Sequence, residues 1–452
     1  MARAGPGALG GSVVLGGSPG APANGRITFT RFDPKLGDFS IWAAKTGEHL
    51  ATMDPNGRYV RQLTFKKSGT GDGHTGRPRP LGRRPATQRK GIEDMTRMRV
   101  AIGCTMALAA STMIAGCQTH SAGKAGADTT VLTLATIDDV NDNGQSYGPQ
   151  AFVDSLVTVS GGRFKVEVTQ HYGNGSAQAE SNLVKAIASG TIDGGWPSTR
   201  SFANAGIPGF ATVEAPMTIS SYAAEKELVS GPVAGELLRR LDGSGVVGLG
   251  LAVGPLRQPF ATHAPLLAPA DWHGVRFRVF NSPVQADTVT ALGAVPVNIG
   301  QSWTEEVRSG NLRGAEFDIA QYAHNAYTTE AGDVTANVVL WPKVFVLSLS
   351  KKRFDSLTSQ QQGWVREAAA QAVKASVDAS YDDSTIAQSL CITGVRFYDA
   401  SAAQIAALRS KVRPVLDKLA MTTSDAALLR AIQAIARRHP TPEPLNVPAD
   451  CR

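Results

Sequence analysis

From residue 130 onward the chain alternates short β-branched runs with amphipathic stretches, and this restricts the body to α/β architecture with largely parallel sheets. Val131–Thr136 is an apolar run, and Phe164–Thr169 alternates with period two. Between them Ala151–Val159 reads as a helix stopped at Gly161-Gly162. Leu183, Val184, Ile187 and Ala188 share one helical face, and Gly190 ends that helix. Val246–Val253 is almost continuously apolar, the pattern of a strand covered on both faces. Its GLGLAVG resembles a dinucleotide fingerprint only loosely, because it lies within the strand instead of opening a helix. The cycle then restarts. Val275–Phe280 alternates, a helix is predicted over Pro283–Leu292 with Gly293 as its stop, and Val295–Ile299 reads as a strand. LVKAIASGTIDGG (183–195) and TEEVRSGNLRGAE (304–316) echo each other, which suits two similarly built lobes. Val344–Leu349 is a later strand, Thr358-x-x-Gln361 forms a capping box before a long helix, and the last helices span about 402–436.

With 452 residues, 42% apolar and 18% charged, the chain has the composition of a globular protein and the length for two or three domains. The net charge of +7 does not mark a nucleic-acid binder, because residues 1–94 carry 15 Lys/Arg against 7 Asp/Glu, and the body is nearly neutral. No Cys has a partner at metal-ligand spacing, and none of the eight His falls in a catalytic motif. No metal, cofactor or enzymatic activity is therefore expected. From Met95 the sequence reads MTRMRVAIGCTMALAASTMIAGCQTHSAGKAGAD. Arg97 and Arg99 precede an apolar stretch, Val100–Ala115, shorter than the roughly 20 residues that span a bilayer. Ile114-Ala115-Gly116-Cys117 resembles the lipobox of bacterial lipoproteins, which implies cleavage before Cys117, its acylation, and an anchor on the outer face of the cell membrane. Residues 95–117 are then the signal peptide and 118–129 a Gly/Ala/Ser-rich tether. Ahead of them, 25–65 resembles a single TolB-type β-propeller repeat, which alone cannot close a propeller. Two readings of 1–94 stand: a non-native or disordered extension before a start at Met95 or Met98, or a genuine small β module.

The stretch 254–299 carries a more specific pattern: Gly254, Arg257, Pro265, Pro269, Asp271, Gly274, Arg276, Arg278, Ser282-Pro283 and Ala291–Pro296, without a gap. Gly161-Gly162-Arg163, Ser189–Asp193 and SLSKKRFDSLTSQQQ (348–362) support it. Residues 130–420 thus resemble the substrate-binding component of TRAP (tripartite ATP-independent periplasmic) transporters, of the dicarboxylate-binding type. The resemblance implies a two-lobed clamp like the type II periplasmic binding proteins, with a hinge and a ligand cleft between lobes. Lobe I would comprise 130–253 plus about 344–384. Lobe II would comprise 254–343 plus about 385–436 with the C-terminal helices, and 437–452 would be a Pro-rich tail. The implied function is capture of a small carboxylate by a monomer for TRAP-type membrane permease subunits. The alternative is a ligand-sensing lipoprotein that passes its bound state to a signalling partner.

Arg278 is the main candidate for the ligand carboxylate, since the matching Arg of the family forks a carboxylate through its planar guanidinium. Arg257, at a strand end entering lobe II, is expected to assist, or else to form a structural pair. Asp139 and Asn141 lie in a polar loop after the first strand, either at the ligand or as a solvated turn. Tyr172, Trp196, Tyr322 and Phe345 are candidates to cover an apolar part of the ligand, with core packing the competing role. Phe317 stands where the family commonly has an amide that touches ligand, so the usual solute does not carry over. Cys391 and Cys451, exported into an oxidising compartment, are expected to form a disulfide.

Overall fold

The computed structural model describes residues 26–33, 38–45, 50–53, 59–62, 129–138, 147–325, 327, 330–439 and 445–452. The signal segment with Cys117, most of the tether, and Asp139 and Asn141 lie outside the described residues. The chain divides into two compact units, Met1–Ala125 and Gly126–Arg452. In the first, strands β1 (Arg26–Asp33), β2 (Asp38–Lys45), β3 (Leu50–Met53) and β4 (Tyr59–Gln62) form an antiparallel sheet in sequence order.

The strands of the second unit begin with β5 (Thr130–Ala135), β6 (Phe164–Thr169), β7 (Gly194–Gly195) and β8 (Val246–Ala252). They continue with β9 (Leu256–Ala261), β10 (Arg276–Val279), β11 (Val295–Asn298) and β12 (Gly314–Phe317). Last come β13 (Asp333–Thr335), β14 (Trp341–Pro342), β15 (Phe345–Ser350) and β16 (Arg396–Tyr398). One sheet has the order β6-β5-β7-β15-β8, and the other runs β11-β10-β12-β9-β13-β16 with β14 beside β9. Both sheets are mixed, which corrects the expectation of largely parallel pairing. β15 is antiparallel to β7 and β8, and β9 is antiparallel to β12, β13 and β14. The cause lies in the crossings. β9 and β15 enter their sheets from the opposite lobe through links of only a few residues, so they run away from the boundary between lobes. β5, β6 and β7 of one sheet, and β10, β11 and β12 of the other, run towards it.

Each sheet is packed on two sides. Leu183, Ile187, Phe202 and Leu251 belong to one core of the first lobe, and Leu132, Phe152, Leu347 and Ala372 to the other. In the second lobe Trp272, Phe277, Val289 and Leu408 form one core, and Phe260, Phe317, Val334 and Phe397 form the next. The long helix Ser359–Asp378 starts at the expected box, with Thr358 and Gln361 capping each other. Helix Pro283–Leu292 has Ser282 as N-cap, Pro283 in its first turn, and Gly293 at φ 102° as its left-handed C-cap.

The final helix, Thr423–Arg438, corrects the domain expectation. Its stripe of Leu428, Ile432 and Ile435 is buried in the first lobe's core, not the second's. An amphipathic stripe states that a helix must bury one face, but not against which lobe. Cys391 and Cys451 are joined as a disulfide with Cα atoms 5.5 Å apart. The tail it holds places Leu445 and Val447 against the second lobe, where Arg452 donates to the Leu445 carbonyl. Among the described residues no helix is long and apolar enough to cross a membrane.

Candidate functional site

The carboxyl ends of the inner strands of both lobes meet at the boundary, the place where open α/β sheets leave a crevice for ligands. The lobes touch there. Gln301 N donates to the Gly175 carbonyl at 2.9 Å, and Asn281 Nδ2 to Ser181 Oγ at 3.3 Å. Asn281 follows β10 in a left-handed conformation, φ 44°, which lets its side chain reach across to the first lobe. The links themselves run side by side. Lys343 N donates to the Pro255 carbonyl at 3.0 Å, and a Cβ on Gly254 would lie 1.7 Å from the Lys343 carbonyl oxygen, so only glycine fits.

Arg278 sits near the carboxyl end of β10 and is 4% exposed. Its Nε donates to the Ile299 carbonyl at 3.1 Å, and its Nη1 stands 3.4 Å from Glu316 Oε1. Among the described residues its Nη2 has no hydrogen-bond partner. The guanidinium carbon lies 5.1 Å from the ring centre of Phe317 and 5.2 Å from that of Phe280. Burial pushes the Arg278 guanidinium down to about 10, because Glu316 only partly offsets desolvation and Arg257 and Arg200 add like charge. Arg276 on the same strand is exposed and donates to the Asn311 carbonyl at 2.5 Å.

Arg257 on β9 is differently placed. Its Nε meets Glu316 Oε2 at 2.5 Å, its Nη1 meets Asp318 Oδ2 at 2.5 Å and Gln321 Oε1 at 2.9 Å, and its Nη2 donates to the Glu316 carbonyl at 3.1 Å. Four of its five N–H groups are therefore committed inside the protein. Although burial opposes it, Glu316 and Asp318 raise its pKa above the ordinary arginine value. Of the two expected roles the geometry gives Arg257 the structural pair: it holds the Glu316 carboxylate in front of Arg278. Glu316 stays below the usual carboxylate range despite its burial, through Arg257, Arg278 and Arg200.

The first lobe supplies a third buried arginine. Arg200, at the start of the helix Thr199–Asn204, donates from Nε to Glu180 Oε2 at 2.7 Å. Its guanidinium carbon lies 4.6 Å from the ring centre of Phe280, a residue of the second lobe. Glu180 also accepts from Ser198 N at 2.7 Å, fixing the loop after β7. Asp138, after β5, accepts from Lys343 Nζ at 2.6 Å. Burial would raise the Asp138 carboxyl, but Lys343 holds it below its ordinary value. Of these four buried cations, Arg278 alone has its nearest carboxylate oxygen beyond 3 Å.

The remaining described candidates are Phe317, at the edge of a second-lobe core next to Arg278, and residues packed in or against the cores without contact to Arg278. Phe317 lies beside Arg278, in a ring cluster with Trp303 at 4.6 Å and Tyr327 at 5.5 Å. Tyr322 is fully buried behind Phe317, and its hydroxyl donates to the Ala331 carbonyl at 2.8 Å, so core packing is its role. Trp196 and Phe345 are buried in the first lobe's core, with Lys343 Nζ 5.2 Å from the Phe345 ring. Tyr172 is half-buried against the other core of that lobe. Phe280 beside Arg278, and Trp303 and Tyr327 packed on Phe317, were not singled out in the sequence, because these contacts join distant segments.

Two buried carboxyls border the site. Glu214 of the first lobe accepts from Ser282 Oγ at 2.8 Å and Gln285 Nε2 at 2.7 Å, both on the second lobe, and burial raises it to about 7. Glu225 accepts from Gly254 N at 2.9 Å through one oxygen, while the other makes no hydrogen bond among the described residues, and burial raises it to about 8.

Known proteins bear on this arrangement. Residues 143–423 match the model of DctP, the bacterial extracellular solute-binding protein family 7. The C4-dicarboxylate-binding periplasmic protein DctP of Rhodobacter capsulatus is 22% identical over 285 residues, 62% of this chain and 83% of that protein. A solute-binding protein of Roseobacter denitrificans is 25% identical over 334 residues, 71% of this chain and 96% of that protein. Among solved structures, a TRAP periplasmic solute-binding protein from Sulfitobacter with bound β-D-galacturonate superposes with TM-score 0.61 at 22% identity, covering 68% of this chain and 100% of that one. The sugar acid binding protein of Advenella mimigardefordensis in complex with galactonate gives 0.62 at 19% identity, covering 69% and 99%. With a family model spanning more than half of its length, a two-lobed α/β fold and a buried arginine at the carboxyl ends of its strands, the chain belongs to the bacterial extracellular solute-binding proteins of family 7.

Proposed function

We propose that the protein captures a small organic acid between its lobes, with the ligand carboxylate on Arg278, and delivers it to TRAP-type permease subunits in the membrane. The observation that carries this reading is the state of Arg278. A buried guanidinium with a free Nη2 edge, a 3.4 Å ion pair and two other arginines nearby is an undercompensated cation. An anion at that edge would add charge-assisted hydrogen bonds and restore the balance. Arg257 would act by positioning Glu316, which keeps the Arg278 fork aimed into the cleft. The relatives fit such a ligand: structural neighbours hold galacturonate and galactonate, and the Rhodobacter capsulatus protein is described as binding C4-dicarboxylates. Tyr172 would complete the first lobe's side of the cleft, and Asp139 and Asn141, outside the described residues, are proposed as ligand contacts from the sequence alone.

The lipobox-like Ile114–Cys117 supports a mature protein that begins at an acylated Cys117 and works as a lipid-anchored monomer on the outer face of the cell membrane. Mass spectrometry of the membrane fraction would find that N-terminus; a species beginning upstream of Cys117 would overturn it. The function itself is tested by a thermal-shift screen of organic acids. A ligand that binds only the folded protein raises Tm, by about 2.7 kcal/mol of stability at a hundredfold excess over Kd. Arg278→Ala should lose that rise. A screen in which no organic acid shifts the wild type, or in which the variant responds equally, rejects the proposal.

A further inference from the structure

We infer that Arg200 is a second binding residue: the ligand's acid group is gripped by Arg278 from the second lobe and by Arg200 from the first, so that its charge ties the lobes together. This rests on the reading of Arg278 as anchor and adds the first lobe's half of the grip. The two arginines hold matching places. Arg278 lies near the carboxyl end of β10, and Arg200 follows β7 at the start of the helix Thr199–Asn204. Both guanidiniums lie over one ring at the boundary, Phe280, at 4.6 Å for Arg200 and 5.2 Å for Arg278. Their carbons therefore stand less than about 10 Å apart, the sum of those distances. The helix that carries Arg200 touches the second lobe again through Asn204 Nδ2, which donates to the Asn281 carbonyl.

Uncommitted donors mark what belongs between them. Arg200 is 7% exposed, and among the described residues only its Nε has an acceptor, Glu180 Oε2. Its Nη1 and Nη2, like Arg278 Nη2, are left over, and buried donors in that state need an acceptor. Among the described residues' fully buried side-chain atoms that lack a partner none belongs to either arginine, so these nitrogens still reach open space. Although burial opposes it, Glu180 and Glu316 raise the Arg200 pKa above the ordinary arginine value, and Arg200 in turn adds like charge against Arg278. An anion shared by the two guanidiniums offsets that repulsion and satisfies both sets of donors. Distance limits its size. A carboxylate forked by a guanidinium has its carbon roughly 4 Å from the guanidinium carbon, so one acid group gripped from both sides spans at most about 8 Å. The two ends of a four-carbon diacid would need roughly 12 Å, more than the shared ring allows. One carboxylate, not the opposite ends of a diacid, fits between Arg200 and Arg278.

Calorimetric titration tests the grip, with galacturonate, galactonate and succinate as probes beside the wider acid screen, and the tightest acid carried through the variants. Arg200→Gln, which removes the charge and keeps a donor for Glu180, should weaken that acid at least about tenfold. Small-angle scattering separates a ligand contact from support of the loop after β7. At saturating acid the wild type should contract as its lobes close, whereas saturated Arg200→Gln should keep the dimensions of the free protein. A residue that only supports the loop would lower affinity yet leave the saturated variant fully contracted. Circular dichroism checks folding, and Arg200→Lys, which keeps a cation for Glu180 but cannot fork a carboxylate, takes the place of Arg200→Gln if that variant does not fold. Binding by the folded variant within about threefold of the wild type, full contraction of the saturated variant, or no contraction of the wild type overturns the inference. Arg278→Ala still reports on the anchor in each of those cases. Heat from no acid with the wild type overturns both readings.

Discussion

Replacing Glu225 by Gln should stabilise the protein at neutral pH, although it alters a fully buried carboxyl at the link between lobes. Among the described residues Glu225 accepts one hydrogen bond, from Gly254 N, and its second oxygen has no partner; burial raises it to about 8 from an ordinary 4.5. The folded protein therefore binds a proton that the unfolded chain releases, and the stabilising contribution is complete only below the unfolded value. It is lost as pH rises through the folded one. At about 1.4 kcal/mol per unit, burying this group at pH 7 costs roughly 3 kcal/mol relative to a residue that does not titrate. Gln keeps the acceptor for Gly254 N and carries no proton to lose. Its NH2 replaces an oxygen without a partner, so it adds at most about the penalty of one unpaired polar group, roughly 1–3 kcal/mol, part of which the protonated carboxyl already bears. Denaturant unfolding of both proteins from about pH 5 to pH 9 should give stabilities that converge at the acid end. They should diverge by about 1.4 kcal/mol per pH unit up to about pH 8. Parallel curves over the whole range would show that Glu225 does not titrate on folding, and the burial argument would fail.

Other outcomes follow from the same geometry. Arg278→Ala should weaken binding of the cognate acid by about 2–5 kcal/mol, roughly 30-fold or more, and Arg278→Lys should also fail because a point charge cannot fork a carboxylate; calorimetry reads both, with Arg276→Ala as the mild control. Opening the Cys391–Cys451 bridge, which closes a separation of 60 residues, should cost up to about 4 kcal/mol, and equal unfolding midpoints with and without reductant would refute that. Glu214 is raised to about 7 where Ser282 and Gln285 cover it, with Arg200 and Glu180 as the charged groups facing it. If separating the lobes hydrates it, closure takes up a proton. Ligand affinity should then strengthen as pH falls from about 8 to 6, and Glu214→Gln should flatten that slope.

What could be read in the sequence was whatever local chemistry announces. Ser282-Pro283 and Gly293 bracket a helix because an N-cap and a left-handed C-cap are local requirements, and the structure places that helix at Pro283–Leu292. Arg278 stood out because the stretch 254–299 resembles the family pattern whose matching Arg forks a ligand carboxylate; alternation alone puts Arg276 on the same face. Strand direction in β9 and β15 did not, since it follows from which lobe the chain arrives from. Nor did the sequence show that Phe317, though in the same core as Tyr322, reaches the Arg278 guanidinium while Tyr322 and Phe345 do not, because a ring reads the same in either place. Arg257 and Arg278 match the same family pattern, yet one is saturated by Glu316, Asp318 and Gln321 and the other is not. Their partners lie tens of residues away, and only the fold brings them together.

The most direct test is a crystal structure of the protein with the tightest acid from the screen. The acid should lie between the carboxyl ends of β10–β12 and those of β5–β7, with its carboxylate oxygens about 3 Å from the Arg278 guanidinium nitrogens. An acid bound outside that boundary, or inside it with its carboxylate turned away from Arg278, would contradict the account.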